Sequence, residues 1–219
     1  EHPQPIDCII VTHGDADHFA GLPEILESET NKVTRKRLFM QPKRVYHNGI
    51  VKRPSKMNNK AVPDTKLLGP TKTVNGQLYL TELEDNLLDV ADTEMNEPFR
   101  AWKKTLATYN SRSDVSFRRL QFGDNQAFEF FNRGDLRIET LGPITTTVGG
   151  QPALKFLGEP PKGPRIGQDS LSTEESTSKS HSASHTINGH SIVLRLSYGG
   201  FSFLFSGDLN DEASRILAR

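Results

Sequence analysis

The chain has 219 residues, with 27 basic and 27 acidic side chains and a formal net charge of zero. That is room for one sizeable domain, and the balance argues against a uniformly basic surface gripping nucleic acid, leaving only local patches. The single cysteine, Cys8, excludes an internal disulfide framework, and no apolar run approaches the ~20 residues of a membrane-spanning helix.

Hydrophobic residues make up 34% of the chain, low for a compact domain, so part of it is expected outside the core. The opening EHPQPIDCII lacks the basic start and long apolar stretch of a secretory signal. Together with the lone cysteine, read as a small core residue, this leans towards a reducing, cytoplasmic setting. Residues 6–11 form a short β-branched run, read as a buried strand. Residues 12–20 are small and polar, as suits a loop at the strand's carboxyl end, and residues 22–29 start a helix with Pro23 in its first turn.

RVYHNGIV, residues 44–51, reads as a second strand followed by an Asn-Gly turn. There His47 is expected to make a structural hydrogen bond at the strand end. Residues 52–76 read as an exposed loop, and residues 78–110 as helical. Phe99, Trp102, Leu106 and Tyr109 recur at spacings of three and four, which makes one apolar face. LRIETLGP, residues 136–143, is a strand with its Gly-Pro stop. Residues 158–188 are rich in Pro, Gly, Ser and Thr. They bury too little apolar surface to offset ordering entropy, so a mobile loop is expected, with His181 and His185 solvated. Residues 190–210 read as two strands joined by Tyr-Gly-Gly, with Phe203, Leu204 and Phe205 buried on both sides. Gly207-Asp208 follows at once.

The chemistry concentrates in IIVTHGDADHFAGL, residues 9–22. His13, Asp15, Asp17 and His18 crowd one turn directly behind a strand. In a tight loop alternate residues point one way while neighbours diverge, so one loop can serve two metal ions. Imidazole and carboxylate suit zinc, and also iron or manganese; calcium would not favour the histidines. Two ions ~3.5–4 Å apart clamp a substrate oxygen and ionise a bridging water. Asp208, delivered by a second strand end, is the natural carboxylate to touch both. The bland alternative is a polar turn, since Asp and Gly are common there. The coincidence of strand, spacing and Gly21 favours metal.

THGDADHFAGL resembles the His-x-His-x-Asp-His signature of the metallo-β-lactamase superfamily. It is more similar to the variant with Asp at the second histidine, here Asp15, as in the hydrolase domain of DNA-uptake competence channel proteins and related stand-alone hydrolases. LRIETLGP resembles the strand before that subgroup's long loop, and NGHSIVLRLSYGGFSFLFSGDLN its paired strands ending in Gly-Asp. The resemblance implies an α/β fold, a partial αββα sandwich forming one domain over residues 1–219. A helical insert at 52–135 and a flexible loop at 158–188 would interrupt it. It implies two divalent metal ions, expected to be zinc. His13 and Asp15 would hold the first, Asp17 and His18 the second, and Asp208 would bridge them. Asp17 would also orient the attacking water as the catalytic residue. His190 would complete the first site, at a position where competence-type relatives often carry a polar non-ligand. The strand pair that usually precedes the first motif and the last histidine beyond Gly-Asp are not in this stretch, so a domain incomplete at both ends is expected.

The leading expectation is therefore a metal-dependent hydrolase acting through an activated water, on a small-molecule or nucleic-acid substrate, with phosphodiesters first. The alternative is a binding or scaffold protein that kept the fold and lost catalysis. The basic segments KVTRKR and QPKRVYHNGIVKRPSK could touch phosphates, although solvated surface charge explains them as well.

Overall fold

A computed structural model describes residues 3–131, 133–158 and 180–218. The chain opens with two short strands, β1 (Gln4–Ile6) and β2 (Ile9–Ile10), and then α1 (Gly21–Ser28). β3 (Met40–Pro42) and β4 (Arg44–His47) follow, then the hairpins β5 (Lys56–Met57) with β6 (Lys60–Ala61) and β7 (Thr71–Val74) with β8 (Gln77–Leu80). After α2 (Glu97–Arg112) come β9 (Ser116–Arg119), β10 (Leu136–Gly142), β11 (Thr146–Val148) and β12 (Gln151–Lys155). α3 (Ala183–Gly189), β13 (Val193–Tyr198), β14 (Phe201–Phe205) and α4 (Asp211–Leu217) complete the mixed α/β fold.

The site-bearing sheet is parallel, in the order β2-β4-β9. Parallel neighbours need long crossovers, and helices supply them here: α1 lies between β2 and β4, and α2 between β4 and β9. The apolar run expected over residues 6–11 is divided, because β1 pairs with β3 while β2 pairs with β4. Successive residues of a strand face opposite ways, and β4 shows the consequence. Val45 packs with Phe19, Phe99, Trp102 and Leu106 on the helical side. Tyr46 packs with Leu120, Phe128, Ile192 and Leu194 on the other side. Ile192 and Leu194 belong to the segment that forms the second, antiparallel sheet, β10-β13-β14. One core therefore lies on the helical side of β4, and a second lies between β4 and the segment that enters the antiparallel sheet. Cys8 packs against the second core, and burial pushes its thiol up to about 12.

Three expectations are corrected. The helix expected over residues 78–110 covers only Glu97–Arg112. Leu80 is instead a fully buried strand residue, in a core with Leu154 and Phe156. The helix begins where the Asn96 side chain accepts the Phe99 N–H at 3.1 Å, with Pro98 in the first turn. The second correction concerns Phe203, Leu204 and Phe205. Their relative exposures are 54%, 65% and 53%, so neither face of β14 is covered among the described residues. The third concerns the loop at 158–188. Its residues 159–179 lie outside the described chain, but Ala183–Gly189 is helical. Ser182 caps that helix at His185 N–H, and Ala183 and Ile187, four apart, are buried together. His181 is half-buried, with its ring edge-on to Phe156 at 5.7 Å. Among the described residues no helix is long and apolar enough to cross a membrane.

The apolar face of α2 should dominate stability. Trp102→Ala, which removes a ring stacked on Phe19 at 4.7 Å, is expected to cost about 3–5 kcal/mol. Asn96→Ala, which removes only the cap, should cost about 1 kcal/mol. Urea unfolding of the two variants measures both.

Candidate metal centre

The loop after β2 is fastened on both sides. Val11 N–H donates to Tyr46 O at 2.9 Å, and Ile192 N–H donates to Thr12 O at 2.8 Å. The end of β2 is thus locked between β4 and the segment entering β13. Gly14 then passes between two helices. A Cβ there would meet Phe99 Cζ at 2.8 Å and Ile187 Cδ1 at 2.9 Å, so glycine is required for packing. A 3-10 turn, Ala16–His18, folds the chain back and brings the His18 ring beside His13, with centroids 3.9 Å apart. From the opposite side the chain leaves β14 and reaches Gly207, two residues on, whose φ is +54°. A Cβ at Gly207 would lie 2.9 Å from both Ser191 Oγ and Thr12 Oγ1. Conformation and space together select glycine, and Asp208 follows it into the site.

Ser191 ties these pieces together. It is fully buried. Its hydroxyl donates to Asn188 O at 2.8 Å and accepts the Asp208 N–H at 3.2 Å. Its third neighbour is His13 Nδ1, at 3.3 Å. A serine hydroxyl has one proton, and that proton is committed to Asn188, so towards His13 it can only accept. The tautomer that matches Ser191 carries its proton on Nδ1 and its lone pair on Nε2, and Thr12 Oγ1, 3.2 Å from the same Nδ1, can accept from it too. That Nε2 atom is buried and without a hydrogen-bond partner, and it lies 4.0 Å from Asp208 Oδ2. Burial, with His18 next to it, holds His13 below the usual imidazole range, which keeps the ring neutral. His18 Nε2 stands 3.6 Å from the same Asp208 oxygen. The ligand atoms of His13, His18 and Asp208 all lie within 4.8 Å of one another. The buried His13 Nε2 has no hydrogen-bond partner among the described residues, and with the His18 ring and the Asp208 carboxylate beside it the pattern of two imidazoles and a carboxylate fits a divalent metal ion.

The other expected ligands stand outside this group. Asp17 is at the rim, its side chain 77% exposed and its Oδ2 3.7 Å from His18 Nε2. Asp15 turns away to Lys52, with Oδ1 3.1 Å from Nζ. With its amide nitrogen facing the acceptors, Asn188 donates to Asp15 Oδ2 at 2.8 Å. His190 is buried, and its Nε2 meets Lys155 O at 2.7 Å. It serves as the carboxyl-terminal cap of α3, and the contact with His13 falls to the next residue, Ser191. His47 makes the structural contacts expected of it. Its Nδ1 accepts from Gly49 N–H at 3.0 Å and its Nε2 faces Asp85 O at 3.3 Å. Sequence reasoning missed Thr12, Lys52, Asn188 and Ser191. Only Ser191 had a signal, through its place beside His190.

Comparison with known proteins fits this geometry over a limited span. A sequence model of the metallo-beta-lactamase superfamily matches residues 1–41. The matched stretch contains His13, Asp15, Asp17 and His18, and it suggests a metal-dependent hydrolase-type fold. No curated protein and no solved structure matches the chain.

The two buried structural histidines set a pH dependence. Burial holds both His47 and His190 down to about 4, whereas in the unfolded chain they titrate near 6.5. Between these values the unfolded chain binds protons that the folded chain refuses. Stability is therefore full above pH ~6.5 and falls as the pH drops towards 4, by about 3 kcal/mol for each histidine. Urea midpoints between pH 7 and 4.5 should show this decline, and His190→Gln should remove about half of it.

Proposed function

We propose that the chain is a metal-dependent hydrolase whose divalent ion, zinc by its donor set, is held by His13, His18 and Asp208. The observation that carries this reading is the buried His13 Nε2, a lone pair with no donor, facing a carboxylate oxygen at 4.0 Å. A cation satisfies both atoms at once. Three protein ligands leave room at a zinc ion for water or substrate. When bound, such an ion lowers the pKa of its water towards neutrality and polarises the oxygen of the scissile group. Asp17, exposed at the rim beside His18, orients the attacking water and takes up its proton. Ser191 and Thr12 hold the His13 ring in the tautomer that presents Nε2.

The substrate class is a phosphodiester. The resemblance of THGDADHFAGL and of the Gly-Asp strand pair to the competence-type hydrolase domains supports that choice. An inactive scaffold would share the fold, so activity and metal have to be read together.

His13→Ala and Asp208→Ala should each lose bound zinc and reduce cleavage of bis-p-nitrophenyl phosphate by roughly 10²–10³-fold, the scale of losing a main transition-state stabiliser. Retained zinc with unchanged turnover in either variant would overturn the assignment. Zinc binding by the native chain without phosphodiester turnover would favour the scaffold reading. Ser191→Ala leaves the His13 Nδ1–H and the Asp208 N–H without their shared acceptor. It should weaken zinc binding by roughly 10–100-fold, measured by competition with a chromophoric chelator.

A further inference from the structure

A second candidate ligand in the opening loop, Asp15, is already occupied. Lys52 Nζ lies 3.1 Å from its Oδ1, and the Asn188 amide lies 2.8 Å from its Oδ2. Both carboxylate oxygens therefore have donors, in contrast to the buried His13 Nε2, which has no hydrogen-bond partner among the described residues. The contacts are partly sheltered, with the Asp15 and Lys52 side chains 22% and 31% exposed.

Neither partner is free to swing away as a whole. Lys52 follows the buried pair Ile50 and Val51. Its carbonyl accepts the Asn96 N–H at 2.9 Å, and the next residue, Arg53, donates its N–H to Leu67 O at 2.7 Å. Asn188 lies in α3, and its carbonyl is fixed by the Ser191 hydroxyl at 2.8 Å. The ammonium that pairs with Asp15 thus comes from a backbone anchored on both sides. An ammonium at a carboxylate supplies one positive charge and repels any divalent ion that approaches the same oxygens.

We infer that Lys52 stands in for a second metal ion at Asp15, so that this chain holds a single ion, at His13, His18 and Asp208. Lys52 is a positioning residue here. It neutralises Asp15, turns that carboxylate away from the metal group and keeps the loop from recruiting another cation. The inference rests on the metal-centre reading and departs from the two-ion arrangement implied by the sequence resemblance.

The test is zinc stoichiometry by equilibrium dialysis and elemental analysis on the full chain, with Lys52→Met, Lys52→Arg, Asp15→Asn and the double variant Lys52→Met/Asp15→Asn. The native chain and Lys52→Arg should bind one equivalent. Lys52→Met should bind two, and adding Asp15→Asn should return it to one. Asp15→Asn alone, which keeps the shape and needs no refolding, should hold its single ion at native affinity. Two equivalents in the native chain would overturn the inference, as would one equivalent in a folded Lys52→Met. Loss of zinc affinity in Asp15→Asn would overturn it by making Asp15 a ligand. If no form binds zinc, the metal centre itself fails, and the inference falls with it. That outcome differs from every pattern in which the native chain holds metal.

Discussion

One buried hydroxyl organises the site. Ser191 meets three parts of the chain that are far apart in sequence: His13 in the first loop, Asn188 at the end of α3, and Asp208 after β14. Beside it the Ile192–Thr12 backbone hydrogen bond joins the parallel sheet to the segment leading into the antiparallel one. Without this junction the two halves of the candidate metal group would hang on separate sheets. With it, strand ends that are rigid for packing reasons deliver their side chains to one point. The two glycines that a Cβ would disturb, Gly14 and Gly207, sit where the backbone must come closest to that point.

The polarity of the site follows from what each acceptor can find. A buried polar atom without a partner carries a desolvation cost that a fold normally avoids. His47 and His190 avoid it, each with ring contacts to backbone groups. His13 Nδ1 avoids it through Ser191 and Thr12. His13 Nε2 does not, and it is the atom aimed at Asp208 and His18. Among the described residues three histidines are buried, His13, His47 and His190, and of these His13 alone has a ring nitrogen without a partner. That contrast separates a candidate ligand from a structural histidine better than position along the sequence does. The same accounting applied to carboxylates separates Asp208, which approaches two imidazoles, from Asp15, which already has an ammonium and an amide.

The antiparallel sheet carries a different signature. β10 and β13 are well paired, and β13 sends Leu194 into the core behind Tyr46. β14 pairs with β13 on one side only, and its phenylalanines and Leu204 are exposed on both faces. Its end is nevertheless held where it matters, because the Asp208 N–H is tied to Ser191. The position of the carboxylate therefore depends on the junction more than on burial of the strand that bears it.

The sequence by itself determined the local chemistry. The strands that lead into the His13 and Asp208 loops, the bend at Asn48-Gly49 after β4 and the apolar face of α2 follow from short-range rules of period, turn chemistry and capping, and the structure contains all of them. The true start of α2 was less legible, because residues 78–96 mix apolar and acidic side chains, and only packing made Leu80 a strand residue. Grouping among the ligands was decided by tertiary structure alone. Four candidates within six positions look equivalent in one dimension. Lys52 and Asn188 arrive from distant segments and capture Asp15, while Ser191 fixes the tautomer of His13. His190 shows the limit most clearly. It lies one residue from the functional contact, but the helix end it caps turns its ring to Lys155. Side-chain direction at a helix terminus is set by the surrounding fold, and spacing along a chain carries no record of it.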